Sequence, residues 1–312
     1  MKVIFAGTPE FAVPVLEAIL ASSHKVELVI TQTDKVNVRG NKIRYSPLKE
    51  AAMRLGLPIA QYKKISNSTT EIAAMRPDIM ITAGYGQILS RQLLKVPKYG
   101  IINVHGSLLP KYRGASPVQS ALLNGEKVIG VTIMNTRFEL DAGEIILQQE
   151  LALQGNENAG ECLEKLSYIG GELAVKALDL IEQGKAVYKE QDENLATYCK
   201  LIKKEQGQLN FLESAQAEVN KVRAFTPNPS AFVRSKLGRI KVVSSKVAPC
   251  DNNTASGIIL AANAKEGLLI KCAKDAIALL QVQPEGSKVM DIADFMRGKG
   301  AAFAVGENIV NG

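Results

Sequence analysis

Histidine is nearly absent, with 2 residues in a chain of 312. His24 and His105 are too far apart to form the paired spacing of a histidine metal site, and no metal is expected. Cysteine is scarce as well. Cys162, Cys199, Cys250 and Cys272 are too widely spaced for a CxxC metal or redox pair, so reduced, mostly buried thiols are expected. No apolar run reaches the roughly 20 residues that a membrane helix needs. The opening MKVIFAGTPE carries one lysine and a short apolar run ended by Gly-Thr-Pro, which has the pattern of a first strand and not of a signal peptide. A cytoplasmic protein without a membrane partner is the expectation. There is no GxGxxG and no serine or cysteine elbow, so dinucleotide-binding and covalent-hydrolase readings lose support.

A length of 312 residues exceeds the comfortable size of one core and predicts two domains, with 46% hydrophobic and 22% charged residues marking an ordinary globular composition. The net charge of +7 is unevenly spread. Residues 200–312 carry 16 Lys and Arg against 10 Asp and Glu, whereas residues 1–199 carry 22 against 21. Within the first part, Lys35, Arg39, Lys42, Arg44, Lys49, Arg54, Lys63 and Lys64 face Glu50 alone between residues 35 and 64. Solvated loop cations are the commoner meaning of such runs. A long polyanion touching both regions is the functional alternative, because clustered cations gain by displacing counterions along a phosphate backbone.

The run KVIFA (2–6) predicts a strand, and Gly7-Thr8-Pro9-Glu10 predicts a turn glycine, an N-cap hydroxyl, an N1 proline and a first-turn acid for a helix reaching Ala21, with Pro14 delaying or kinking it. Strands follow at 26–32, 78–83 and 100–105, with helices at 46–55 and 116–125. Two more strands are expected around 131 and 146, then a long amphipathic helix at 158–182. Continuous apolar strands alternating with helices indicate a parallel sheet covered on both faces. From about Arg234, RIKVVSSKV, SGIILAA, GLLIKCA and AIALLQVQ are short strands separated by Gly, Asn and Pro, the signature of a small barrel.

Ligands of α/β proteins lie at the carboxyl ends of parallel strands, where Asn103 and His105 fall. Strand alternation puts both on one side, an amide donor beside an imidazole. Asp141, in the turn of ELDAGEI, is placed to orient or charge-couple the histidine. An amide that donates to a developing oxyanion, an imidazole that donates or moves a proton, and a carboxylate that holds the ring together suit acyl transfer. A lone histidine is more often structural, but Asn at i−2 and the loop Ser-Leu-Leu-Pro-Lys-Tyr-Arg-Gly weigh against that here. His24, in Ser-Ser-His-Lys, is expected on the surface.

INVHGSLLPKYRGASPVQSALLNGE, GVTIM and LDAGEI resemble the folate-dependent formyltransferases, which move a formyl group from 10-formyltetrahydrofolate to an amine. FAGTPEFAVPVLEAIL, TQTDKVNVRGNKIRYSPLK, AGYGQIL, VRAFTPNPSAF and LQVQPEGSKVMDIADFMRG are similar to the branch of that family whose acceptor is initiator methionyl-tRNA, and the resemblance covers nearly the whole chain in order. It implies a Rossmann-like, mostly parallel formyltransferase domain at 1–189 and an OB-like β-barrel that binds tRNA at 207–312, joined by residues 190–206, whose polar, weakly periodic sequence itself reads as a linker. The family's catalytic asparagine, histidine and aspartate fall on Asn103, His105 and Asp141. Folate contacts are implied at Tyr85, Gly86, Gln87, Ile88, Ser107, Leu108, Leu109, Pro110 and Gly143. The resemblance further implies that Arg39, Lys42 and Arg44 grip the acceptor end of the tRNA, that Lys203, Lys204, Lys241 and Lys246 hold phosphates further along, and that the protein is a monomer. Relatives that formylate sugar nucleotides or hydrolyse the folate share the site, and a non-catalytic RNA-binding protein would share only the charge. The chain departs from the family pattern at Asn135-Thr136-Arg137, usually Gln-Met-Asp, at Asp141-Ala142-Gly143-Glu144, usually Asp-Thr-Gly-Asp, and at Asn228, usually tryptophan.

Overall fold

The structure, a computed structural model, describes residues 1–36, 43–251 and 253–310. The chain divides into two compact units, the first made of residues 1–117, 128–152 and 163–200, the second of 118–127, 153–162 and 201–312.

The first unit begins with β1 (Lys2–Gly7), α1 (Ala12–Leu20) and β2 (Lys25–Thr31), then a short antiparallel pair, β3 (Lys35–Val36) and β4 (Ile43–Arg44). It continues through α2 (Pro47–Arg54), β5 (Ile59–Gln61), α3 (Thr69–Ala74), β6 (Ile79–Ala83), β7 (Ile101–His105) and β8 (Arg113–Gly114). After α4 (Pro117–Leu123), which from Val118 belongs to the second unit, come β9 (Val128–Asn135), β10 (Ile145–Ala152), α5 (Ala159–Glu182), in the first unit from Leu163 on, and β11 (Tyr198–Cys199). A seven-stranded sheet runs in the order β10-β9-β7-β6-β1-β2-β5. Its strands from β5 to β7 are parallel, and β9 and β10 close the other edge antiparallel. The parallel strands are apolar on both faces, as expected: Val3, Ile4, Phe5, Ala6, Ile79, Met80 and Ile81 are all fully buried. Each fully buried Val, Ile or Phe contributes roughly 1.5–3 kcal/mol relative to exposure. Gly170 in α5 allows the helix to approach β7 closely, since a Cβ there would stand 2.8 Å from Val104 Cγ1.

Three local expectations are corrected. Thr8 does not cap α1: its hydroxyl donates to the Tyr85 carbonyl, the turn from Pro9 stays irregular, and the helix begins at Ala12 with Pro14 tolerated in its first turn. His24 is not on the surface, because α5 covers it and brings Asp179 Oδ1 to 3.1 Å from its Nε2 and Glu182 to 3.8 Å from Nδ1. The stretch from Glu190 to Cys199, expected as linker, is built into the first unit: Lys189 exchanges two backbone hydrogen bonds with Ile145, and β11 pairs in parallel with β8. The helix start at Ser46 is as read, with Ser46 Oγ accepting from Lys49 N and Pro47 in the first turn.

The second unit contains α6 (Ala215–Phe225), β12 (Ala231–Ser235), β13 (Gly238–Ala248), β14 (Ile259–Asn263), β15 (Gly267–Lys271), β16 (Ala276–Pro284), β17 (Met290–Asp291) and α7 (Ile292–Arg297). Its antiparallel sheet runs β12-β13-β16-β15-β14 with β17 on β16, consistent with the small barrel expected, and it is packed by α6 and α7. Val219 and Val222 of α6 and Phe295 and Met296 of α7 join Ile240, Val242, Ile270, Ile277, Leu279 and Val282 in one core. No disulfide joins the four cysteines, three of which are buried, and burial pushes the Cys272 thiol up to about 12. No helix among the described residues is long and apolar enough to cross a membrane.

Candidate active site

The site is built on β7, which lies between β6 and β9 in the middle of the sheet. Ile102 and Val104 are buried, and the alternate residues Asn103 and His105 share the other face. Asn103 Oδ1 accepts a hydrogen bond from Thr82 Oγ1 at 2.8 Å, which turns the amide nitrogen away as a donor without an acceptor among the described residues. His105 Nε2 lies 3.0 Å from the Tyr112 carbonyl oxygen. A carbonyl only accepts, so Nε2 carries the proton and Nδ1 is the basic nitrogen of the neutral ring. That nitrogen faces Asp141 Oδ2 at 3.8 Å, outside hydrogen-bond range but close enough for charge coupling.

Asp141 sits in a sharp turn between β9 and β10 with φ +47°, a left-handed conformation that aspartate tolerates better than most residues. Gly114 N donates to its Oδ2 at 2.8 Å. Gly143 is required two residues on, because a Cβ there would fall 1.7 Å from the Asn135 carbonyl oxygen. Glu144 then accepts from Asn135 Nδ2 at 3.1 Å and from Arg137, which also reaches Glu190 at 2.6 Å. Burial works to raise the Glu144 carboxyl, but the hydrogen bonds from Arg137, its own backbone and Asn135 hold it below the usual carboxylate range. Two of the departures from the family pattern thus pair with each other.

The loop after His105 is braced from below. Thr132 Oγ1 donates to the Ser107 carbonyl at 2.6 Å and accepts from Leu109 N at 3.2 Å and Gln148 Nε2 at 2.8 Å. Gln148 Nε2 also donates to the Leu109 carbonyl at 2.9 Å. Ser107 is buried with its hydroxyl on the Lys111 carbonyl, and Leu109 packs with Met134 and Ile145. Both side chains are occupied by the fold.

The other residues implied for folate divide in the same way. Tyr85 is buried among Ile4, Ile30, Met80 and Leu93, where burial pushes its hydroxyl up to about 12. Gln87 is spent on the Ile65 amide and the Tyr62 carbonyl, both at 2.8 Å. The Gly143 carbonyl takes a hydrogen bond from Gln191 Nε2 at 2.7 Å. Gly86 and Ile88 are exposed, Ile88 at 85%, while Leu108 and Pro110 are half-buried. Of the basic residues, Arg39 and Lys42 lie outside the described residues, Arg44 is exposed on β4, Lys203, Lys204 and Lys246 are exposed, and Lys241 is half-buried on β13.

Sequence reasoning gives no role to Thr82, Thr132, Gln148 or Gln191, and to Arg113 only a place in the loop of residues 107–114 after His105. Thr82 and Thr132, the polar residues inside the apolar runs DIMITA and GVTIM, were the available signal. One cluster of potential metal ligands, His24, Asp179 and Glu182, exists among the described residues, and it contains no residue of this site.

A family model described as formyl transferase matches residues 1–178, and one described as formyl transferase, C-terminal domain, matches residues 201–300. The chain is 38% identical over 311 residues to a methionyl-tRNA formyltransferase of Latilactobacillus sakei subsp. sakei (strain 23K), covering 99% of this chain and 98% of the relative. It is 39% identical to one of Thermodesulfovibrio yellowstonii, covering 95% of this chain and 96% of that protein. Among solved structures, an N-formyltransferase from Helicobacter canadensis in complex with folinic acid and dTDP-3-aminofucose shares the fold, with a TM-score of 0.68 and 21% identity over 89% of this chain and 99% of that one. HypX from Aquifex aeolicus in complex with tetrahydrofolic acid has a TM-score of 0.63 and 16% identity over 98% of this chain and 48% of its own.

Proposed function

The chain belongs to the formyl transferase family, and on that premise we propose that it transfers a formyl group from a reduced folate to the α-amine of methionyl-tRNA, giving N-formylmethionyl-tRNA. The donor is 10-formyltetrahydrofolate and the acceptor the initiator species used to start translation in the cytoplasm, with the enzyme acting as a monomer. The arrangement at the end of β7 carries the reading: an Asn103 amide free to donate beside a His105 ring whose basic nitrogen faces Asp141.

In a balanced transfer the carbon–nitrogen bond to the amine forms, the one to the folate breaks, and a proton passes from the attacking nitrogen to the departing one. Asn103 Nδ2 donates to the formyl oxygen, where negative charge develops as the amine adds. His105, its Nε2–H fixed on the Tyr112 carbonyl, takes up the proton at Nδ1, and Asp141 stabilises the charged ring. Exposed Gly86 and Ile88 after β6, with Leu108 and Pro110 of the loop, offer backbone groups and apolar surface to a flat heterocycle. Arg39, Lys42 and Arg44 in the first unit grip the acceptor end, and Lys203, Lys204, Lys241 and Lys246 in the second contact phosphates. Phosphate contacts position the RNA, so discrimination among tRNAs belongs to the segment around Arg39.

The test supplies 10-formyltetrahydrofolate with charged initiator methionyl-tRNA, charged elongator methionyl-tRNA or no RNA. Formyl transfer dependent on the initiator is the expected result. Release of free formate regardless of RNA would assign the protein to the folate hydrolases instead.

A further inference from the structure

Arg113 is the largest fully buried side chain among the described residues, at 1% exposure, and nothing in the transfer chemistry above uses it. Its Nη2 and Nη1 donate to the two carboxylate oxygens of Glu193 at 2.7 and 2.9 Å, and Nη1 also reaches the Tyr198 hydroxyl at 3.2 Å. Its Nε and Nη2 converge on Gln191 Oε1 at 3.0 and 2.9 Å. Arginine has only donors, so the Gln191 oxygen must face it and the Gln191 nitrogen must face away. That nitrogen donates to the carbonyls of Asp141 at 2.9 Å and Gly143 at 2.7 Å. The circuit closes on the neighbour of Arg113, since Gly114 N donates to Asp141 Oδ2.

We infer that Gln191, seated by Arg113, is a positioning residue that sets where the Asp141 carboxylate stands relative to His105. Asp141 holds a left-handed conformation, which persists only where surrounding contacts over-determine it. The Gln191 amide fixes both carbonyls of that turn, and its own orientation has no freedom because every partner accepts or donates one way only. Bidentate contact from a buried guanidinium gives this geometry a precision that a solvated chain segment lacks.

The inference rests on the formyl-transfer reading for its kinetic consequence, and the test separates the two. Gln191→Glu retains an acceptor for Arg113 but removes the donor to the turn. With 10-formyltetrahydrofolate and methionyl-tRNA, kcat should fall on the order of 100-fold while KM for both substrates stays unchanged, the size of effect expected when a reacting group shifts by about 1 Å. In an Asp141→Asn background the same change should add less than about 2-fold, because residues acting as one unit are not additive. Arg113→Lys, which keeps the charge and loses the fork, serves if Gln191→Glu does not fold.

The second readout needs no substrate. The chain has only two histidines, so 13Cε1-labelled histidine gives two NMR resonances, and Gln191→Glu should move that of His105 and leave that of His24 in place. A folded Gln191→Glu protein with unchanged kcat and an unmoved His105 resonance overturns the inference, as does full additivity with Asp141→Asn. A moved resonance in a protein that transfers no formyl group upholds the positioning and removes the function.

Discussion

His105 presents Nε2 to the Tyr112 carbonyl at 3.0 Å and Nδ1 to the Asp141 carboxylate at 3.8 Å, so one ring nitrogen is committed to the fold and the other is left for proton exchange beside a negative charge. Removing that charge without disturbing the turn isolates its contribution. Asp141→Asn keeps an oxygen for the Gly114 amide, and the protein should fold normally. Its kcat should drop by about 100-fold or more, within the range for a general acid–base partner, with steady-state kinetics as the measurement. Activity within a few-fold of the wild type would remove Asp141 from the chemistry.

Asn103 is assigned to the formyl oxygen. Asn103→Ala should lower kcat by about 100- to 1,000-fold with little change in KM, the scale of one missing oxyanion donor. Thr82→Val tests the orientation of the amide: without the hydroxyl that holds its oxygen, the amide can rotate, and kcat should fall in the same direction by a smaller factor. Single-turnover rates separate the two variants from effects on product release.

The cations of the second unit make a different claim. If Lys203, Lys204, Lys241 and Lys246 each neutralise a phosphate, replacing them by alanine should weaken tRNA binding and flatten the dependence of log affinity on log salt by about 0.9 for each phosphate no longer neutralised. Arg39→Ala should lower tRNA turnover while leaving folate binding unchanged. Filter binding across a salt series decides the first, and an unchanged slope would free these lysines from the RNA.

Glu144 gives a pH-dependent prediction. Its carboxyl is held below the ordinary value of 4.5 in the folded protein, so its contribution to stability is present above that value and is lost as pH falls through the lower folded-state value. Arg137 is 39% exposed, which limits the contribution to about 0.5–1 kcal/mol. Glu144→Gln should therefore lower the thermal midpoint by about 1–4 °C at pH 7 and by nothing measurable well below pH 4. An equal loss at both pH values would contradict the sign.

What could be read in the sequence was local. The alternation of Asn103 and His105, the apolar parallel strands and the Asp-Ala-Gly turn each involve residues only a few positions apart in the chain, and periodicity reports such relationships directly. What could not be read joins distant segments. Arg113 and Gln191 are 78 residues apart, and the polar composition of 190–199 resembles a linker until the buried guanidinium that satisfies it is known. His24 is buried by a contact of the same kind, since a helix residue 155 positions away covers it. Ser107, Tyr85 and Gln87 are themselves among the implied folate contacts, yet their side chains are bonded or packed within the fold, to partners the local sequence does not reveal. The departures at Asn135, Arg137 and Glu144 looked independent in the sequence and are bonded to one another in the structure.

The most direct measurement is formyl transfer from 10-formyltetrahydrofolate to initiator methionyl-tRNA by the wild type and by His105→Ala, followed in a single turnover. Rapid transfer by the wild type and a loss of at least about 100-fold in the variant is the expected result. Transfer at equal rates by both proteins, or none by the wild type, would contradict the assignment of this site to formyl transfer.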